Sequence, residues 1–339
     1  MEQRKVMSLG RSSLVVSLPK HWTKLNELKK GDVVSLGIQR DRSLVVFPGT
    51  GRKKESRETT LHVDPNERNV MIVRRIIACY LNGYSRIRLV SKKIFPVAQQ
   101  RAIRHIVRIL YMRIMESDAK NMHIVTLIDE SKASVISGIE RMHTVANSMC
   151  RDALNSLRDR DAPLAKAVYS LDDDVDHYSF FILRLLRRAA LDPALANQLG
   201  IEPIDGLDLQ TLVHRIEQVA DNATNIAKHI VMLNQKRLKI SRRLIELMLN
   251  AGNTSTSCYD KAVEAYFSKN TASSDEIIER EKSIEKMDRE IASWAFLHEK
   301  KNPEIICATC SIRESIKRIA EYAADIAEIT INRSYKPMS

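Results

Sequence analysis

Residues 129–339 hold only four glycines in more than two hundred positions, and their apolar residues recur every three or four. A stretch so poor in breakers and so regular in that period must form long amphipathic helices packed on one another. The pattern predicts six of them, over 133–158, 163–190, 208–235, 240–269, 274–299 and 303–334. Breaks are expected at Asp159 to Pro163, at Gly200 to Pro203 with Asp205 and Gly206 just after, and at Lys301 to Pro303. Ser273 to Glu276 has the make-up of a helix start, with acids favoured in the first turn. Ala251 to Ser257 is the weak spot of the fourth helix and is expected to bend it.

The helical region repeats itself at an offset of 100 residues, His214 to Lys228 lining up with Glu314 to Glu328. The identities Ile216/Ile316, Ala220/Ala320, Ala223/Ala323 and Ala227/Ala327 step by three or four, which marks one packed stripe whose small residues allow close helix approach. Beside it runs a polar stripe, Glu217, Asp221 and Asn225 in the first copy and Lys317, Glu321 and Asp325 in the second. Spacing of four stacks these side chains on one face. Stacked carboxylates repel unless a cation or a basic partner lies between them. A hard cation wants several oxygens, so a second helix must contribute. The preceding helix of each copy offers them: Asp172, Asp173, Asp174 and Asp176 in the first, Glu285 and Asp288 in the second. On residue types alone, a metal site and an ordinary salt-bridged face both remain open.

Ahead of the helices lie two smaller parts. In residues 1–50, Leu14 to Leu18 is a β-branched run closed by Pro19, and Pro19 to Leu25 reads as a short helix with proline in its first turn. Asp32 to Ile38 and Ser43 to Phe47 flank the turn-prone Gln39 to Arg42. These strands are too few and too short to bury a core alone, so a partner chain is the natural remedy. Residues 51–58 are charged and without periodicity, a linker. Residues 59–128 alternate: a strand at Thr60 to Val63, a helix from Asn66 to Asn82 with Val73, Ile76, Ile77 and Tyr80 inward, and a strand at Arg86 to Val90. A second helix starts at Pro96, and a hairpin follows, Met112 to Glu116 and Met122 to Ile128. Arg101, Arg104, His105 and Arg108 form one basic stripe on that second helix, opposite Ile103, Ile106, Val107 and Leu110.

Charge is divided unevenly. The net +12 comes from +15 over residues 1–128 and −3 over the remainder, a basic head on a slightly acidic body that points to a polyanion for the head. No apolar run is long enough to cross a bilayer; the strongest, Ser179 to Leu183, is interrupted by Arg184. The opening residues lack the apolar core of a signal peptide, so a cytoplasmic location is expected. Five scattered cysteines, Cys79, Cys150, Cys258, Cys307 and Cys310, fit reduced thiols, and Cys307/Cys310 lacks the two further ligands a zinc site takes. No GxSxG, HExxH or GxxxxGK[ST] motif is present, which leaves a metal-dependent hydrolase the least favoured class and a non-enzymatic role the expectation.

Two family resemblances sharpen these readings. Arg4 to Val6, Gly10 to Pro19, Lys29 to Val33 and Ser43 to Val46 resemble the AbrB/SpoVT swapped-hairpin family, whose chains interleave in pairs and commonly bind DNA. The resemblance implies a homodimer and duplex DNA as partner, with Arg4, Lys5, Arg11 and Lys20 on phosphates and Ser12 and Ser13 as hydrogen-bond donors. Ile216 to Ala227 resembles the PhoU signature, whose E(D)xxxD acids coordinate metal clusters. It implies two three-helix repeats, 133–235 and 240–334, within a helical domain over 129–339, and a metal site from Glu217, Asp221, Asn225, Asp173 and Asp176. The second copy would use Glu321, Asp325, Glu285 and Asp288, although Lys317 stands where an acid is expected. Carboxylates do not choose among iron, zinc, manganese and magnesium. The implied role is a regulator of phosphate uptake with a DNA-binding head. The alternative is an adaptor of a phosphate permease complex whose head only dimerises.

Overall fold

In this computed structural model the described residues are 2–38, 42–49, 57–299 and 302–336. Most of the expected linker at 51–58 and of the turn at Gln39 to Arg42, together with Lys301, lies outside them. The chain divides into two compact units, Met1–Ser56 and Arg57–Met338.

The first unit carries two separate hairpins. Strand β1 (Met7–Leu9), absent from the sequence-based expectation, pairs antiparallel with β2 (Ser13–Val15); the strand expected over Leu14 to Leu18 is β2, shorter at its far end because its partner is only three residues long. Helix α1 (Lys20–Leu25) has Pro19 as its N-cap instead of inside its first turn. Strands β3 (Val34–Ile38) and β4 (Leu44–Pro48) make the expected second hairpin. No described residue of this unit is buried. Leu14 is 76% exposed and Ile38 75%, with Val6, Leu9 and Leu36 also open to solvent. Val15, Leu18, Val34, Val45, Val46 and Phe47 are half-buried, so each hairpin covers part of its apolar surface and leaves the rest open.

The second unit opens with an α/β layer: β5 (Glu58–Val63), α2 (Asn69–Leu81), β6 (Arg86–Ser91), α3 (Val97–Ile109), β7 (Met112–Ser117) and β8 (Asn121–Thr126). The sheet order is β5-β6-β8-β7, with β5 and β6 parallel and the other pairs antiparallel. A parallel pair needs a crossover, and α2 supplies it. Ile72, Ile76 and Tyr80 face the core, whereas Val73 and Ile77, expected inward, are only partly buried. The inward stripe runs in steps of four and lies one residue further round the helix. Gly83, at φ 83°, ends α2 as expected, and a Cβ there would come 2.5 Å from Cδ of Arg188.

Helices α4 (Val135–Asp159), α5 (Ala162–Leu191), α6 (Pro193–Leu199), α7 (Pro203–Gln235), α8 (Arg242–Ser268), α9 (Thr271–His298) and α10 (Pro303–Ser334) complete the unit. Six match the periodicity. The seventh, α6, is a short piece between Asp192, whose side chain caps its first turn, and the left-handed Gly200. Asp205 and Gly206 lie inside α7, because Pro203 at the first turn starts the helix before them. Helix α9 begins after Asn270, which accepts from the Ser273 amide, so Ser273 sits in the first turn and is not the cap. Helix α8 runs on through Ala251 to Ser257, and a Cβ at Gly252 within it would come 2.5 Å from Leu154 Cδ2. Helices α4, α5 and α7 form one three-helix group and α8, α9 and α10 the other, joined through α4 with α8 and α7 with α10 over a single core.

Candidate functional site

Helices α5 and α7 run side by side, and each presents a polar row at helical spacing: Asp172, Asp176 and Ser179 on one, Glu217, Asp221 and Thr224 on the other. Hydroxyls close both ends of the ladder. Ser179 Oγ donates to Glu217 Oε2 at 3.0 Å, and Thr224 Oγ1 donates to Asp172 Oδ1 at 3.2 Å. Asp176 and Asp221 occupy the middle rungs. Burial, then repulsion from Glu217, Asp172 and Asp221, pushes the Asp176 carboxyl up to about 7. Burial, then Asp172 and Glu217, pushes Asp221 up to about 6, with Lys228 working against the rise. Asp172 is raised for the same primary reason, burial, with its bond from Thr224 opposing. The one basic side chain in ion-pair reach of the four carboxylates among the described residues is His214, whose Nδ1 lies 3.5 Å from Glu217. The face is therefore a run of carboxylates, Asp172, Asp176 and Glu217 half-buried and Asp221 more exposed, whose negative charge is mutually unfavourable.

The donors are the oxygen type a hard cation takes. Among the described residues, however, no three His, Cys, Asp or Glu side chains already converge as a metal cage. The ladder carries the charge that would attract a cation without the closed geometry that would hold one.

The other expected ligands meet different partners. Asp173 turns from the ladder to α3, where Arg108 lies 3.1 Å and His105 3.6 Å away, and part of the basic stripe is thereby tied to the bundle. Asn225 Nδ2 donates to Ser315 Oγ at 2.8 Å, and Asp325 takes Arg215 at 2.8 Å. Those two contacts relate residues 215/325 and 225/315, so the repeats meet across a pseudo-two-fold near the buried Ala220 and Ala320. In the second copy Glu321 pairs with Lys317 at 3.3 Å and Arg318 at 3.4 Å, and Asp288 with Arg313 at 2.6 Å. Glu285 stands beside Glu281, which burial and then Glu321 and Glu285 raise. Lys317, Arg318 and Arg313 thus pair directly with second-copy acids, whereas on the first-copy ladder only His214 comes within ion-pair reach among the described residues and Lys228 acts from further off. Ser179 and Thr224 went unnoticed in the sequence, although each follows an acid of its row by three residues, a spacing that marks the same face.

In the head, Arg11 and Ser12 lie in the tight turn between β1 and β2, Ser13 opens β2, Lys20 opens α1, and Arg4 and Lys5 precede β1. All six are exposed, and Arg4 is ion-paired with Glu2. Among the described residues no helix is long and apolar enough to cross a membrane.

Comparison with known proteins places these features. The PhoU domain model matches twice, over residues 139–230 and 239–330, and the model for antidote-toxin recognition MazE, a bacterial antitoxin, matches residues 8–57. A phosphate-specific transport system accessory protein PhoU homolog of Clostridium acetobutylicum is 21% identical over 229 residues, covering 65% of this chain and 93% of its own length. The crystal structure of PhoU from Pseudomonas aeruginosa superposes with a TM-score of 0.52 at 20% identity, over 58% of this chain and 93% of that one. The phosphate transport system regulatory protein PhoU of Streptococcus pneumoniae gives 0.50 at 14%, over 60% and 95%. The two matched stretches correspond to the two three-helix groups and together span more than half of the chain, which belongs to the PhoU-domain family.

Proposed function

We propose that the chain regulates phosphate uptake, with the PhoU bundle as sensor or transmitter and the head as its DNA-binding output. The observation that carries the reading is the pairing, in one chain, of a complete tandem PhoU bundle with a small basic antitoxin-like head. The exposed apolar side chains of both hairpins favour a second copy as the head's partner, since exchange of strands would cover them and close the sheet edges. Arg4, Lys5, Arg11 and Lys20 would then be presented twice along a duplex, with Ser12 and Ser13 donating to phosphate oxygens. The relative's description as an accessory protein of phosphate-specific transport supports components of a phosphate ABC transporter as further partners. It also favours a second reading, in which the chain is an adaptor of that transporter and the head only dimerises.

The bundle's ligand in this reading is a divalent or trivalent metal ion on the α5–α7 ladder, held by Asp176, Glu217 and Asp221 with Asp172 beside them. A cation there would relieve the repulsion that raises Asp176 and Asp221. The second copy supplies its own ammonium and guanidinium groups, so one metal site per chain is expected. Elemental analysis of purified protein should find near-stoichiometric metal. The double change Glu217→Gln, Asp221→Asn should abolish it with the helical circular dichroism intact, while Glu321→Gln leaves it unchanged. Equal metal in the first variant and the native chain would move the site elsewhere.

A further inference from the structure

The face of α5 turned away from the acid ladder lines a second concavity. Ser170, the adjacent Asp173 and Asp174, and His177 lie one turn apart along it. Opposite stand Arg108 from the end of α3, Tyr111 from the turn after it and Arg113 from β7. The cavity between them measures about 750 Å³, ample for a metabolite-sized ligand. It lies where the α/β layer meets the bundle.

Its lining carries three kinds of recognition group. The first is aromatic: the Tyr111 ring is 59% exposed and its centroid lies 3.4 Å from that of His177, whose Nδ1 is fixed at 2.8 Å from the Ile109 carbonyl. The two planes are tilted by 37°, and a flat ring can lie against the exposed Tyr111. The second is cationic: Arg113 is exposed and has no ion-pair partner among the described residues, and Arg108 is held at the rim by Asp173 at 3.1 Å. Guanidinium groups are suited to phosphate oxygens because their N–H fork matches two acceptors at once. The third is the exposed carboxylate of Asp174, an acceptor for hydroxyl or amine hydrogens.

We propose that this cavity binds a nucleoside phosphate. The base would lie against Tyr111, the phosphate against Arg113 and Arg108, and Asp174 would accept from the ribose hydroxyls. A bare anion explains the lining less well, because the aromatic pair and the Asp174 acceptor would contribute nothing to its binding. The proposal stands independently of the regulatory reading above.

Isothermal titration of the full chain against a panel of nucleoside mono- and diphosphates, with inorganic phosphate and adenosine as part-ligands, tests it. At least one nucleotide should bind below millimolar concentration and at least tenfold more tightly than either part-ligand. Arg113→Ala should weaken it by tenfold or more, the loss expected for one charged hydrogen-bonding partner. Tyr111→Asn, which keeps a residue tolerant of the left-handed backbone at φ 48°, should weaken it similarly. Arg113 is exposed on a strand, so unchanged circular dichroism will separate lost binding from lost fold. No binding by any nucleotide, binding indifferent to Arg113→Ala, or phosphate binding as tightly as the nucleotides would each overturn the proposal.

Discussion

Arg184 is the residue on which the second unit turns. Its guanidinium is 2% exposed, and its Nε lies 2.7 Å from Glu130. It donates to the carbonyl of Tyr80 and, at 3.0 Å, to that of Tyr84, and its plane lies over the Tyr80 ring. The Tyr80 carbonyl also accepts from the Gly83 amide, so a side chain of the bundle here adds a second donor at the end of α2 and ties it to the segment just beyond. Along the chain, Arg184 shows only as a charge interrupting an apolar run. Its partners lie 54 to 104 residues away, and nothing local announces them. Arg184→Met should cost about 3–5 kcal/mol in urea unfolding, because Glu130 is left as a half-compensated charge and two carbonyls lose a donor. Adding Glu130→Gln should recover part of that loss. Arg187→Met, which removes only an exposed bond to Asn82, should cost about 0.5 kcal/mol or less. Equal costs for Arg184→Met and Arg187→Met would deny Arg184 this role.

Helices declare themselves through period and punctuation, which is why six long helices were legible to within a few residues. Where the reading slipped, a local signal met a tertiary one. Ala251 to Ser257 looks fragile alone, yet Gly252 is there because a Cβ would stand 2.5 Å from Leu154 Cδ2. The acid rows were also legible, since spacing alone puts Glu217 and Asp221 on one face. Of the acids expected from α5, Asp172 and Asp176 do face them, but which of the four would do so, and the pairing of Asn225, Asp325 and Asp173 with other elements, were not legible, because rotation about a helix axis is set by packing. The α5–α7 ladder has a consequence for stability. Asp176 and Asp221 bind protons more tightly in the folded chain than unfolded, so between about pH 4 and pH 7 the folded state holds more protons. Stability of metal-free protein should therefore fall as pH rises through that window, by about 1–2 kcal/mol once solvent screening of these partly exposed groups is allowed for. Asp176→Asn should flatten the dependence of the thermal midpoint on pH. An unchanged slope in that variant would mean that the ladder does not set it.

At the scale of the whole molecule the open question is what the two units do together, and the head decides it. If both hairpins need a second copy, removing residues 1–56 should lower the association state seen by sedimentation. A truncated chain that keeps the full-length mass state would show instead that the bundle associates alone. DNA binding separates regulator from adaptor. Each Lys or Arg that neutralises a phosphate releases counterions, so affinity must fall steeply with salt. With Arg4, Lys5, Arg11 and Lys20 present twice in a dimer, about four to eight phosphate contacts are expected, hence a log–log slope of about −4 to −7. Arg11 projects from the tight turn between β1 and β2 and has no ion-pair partner among the described residues, unlike Arg4 with its Glu2. Arg11→Ala should therefore flatten the slope by about one or two, one contact from each protomer, while mass state and metal content stay as they were. Binding to promoter DNA no tighter than to random duplex, with no loss in Arg11→Ala, would favour the adaptor, and the head's positive charge would then face an acidic protein surface.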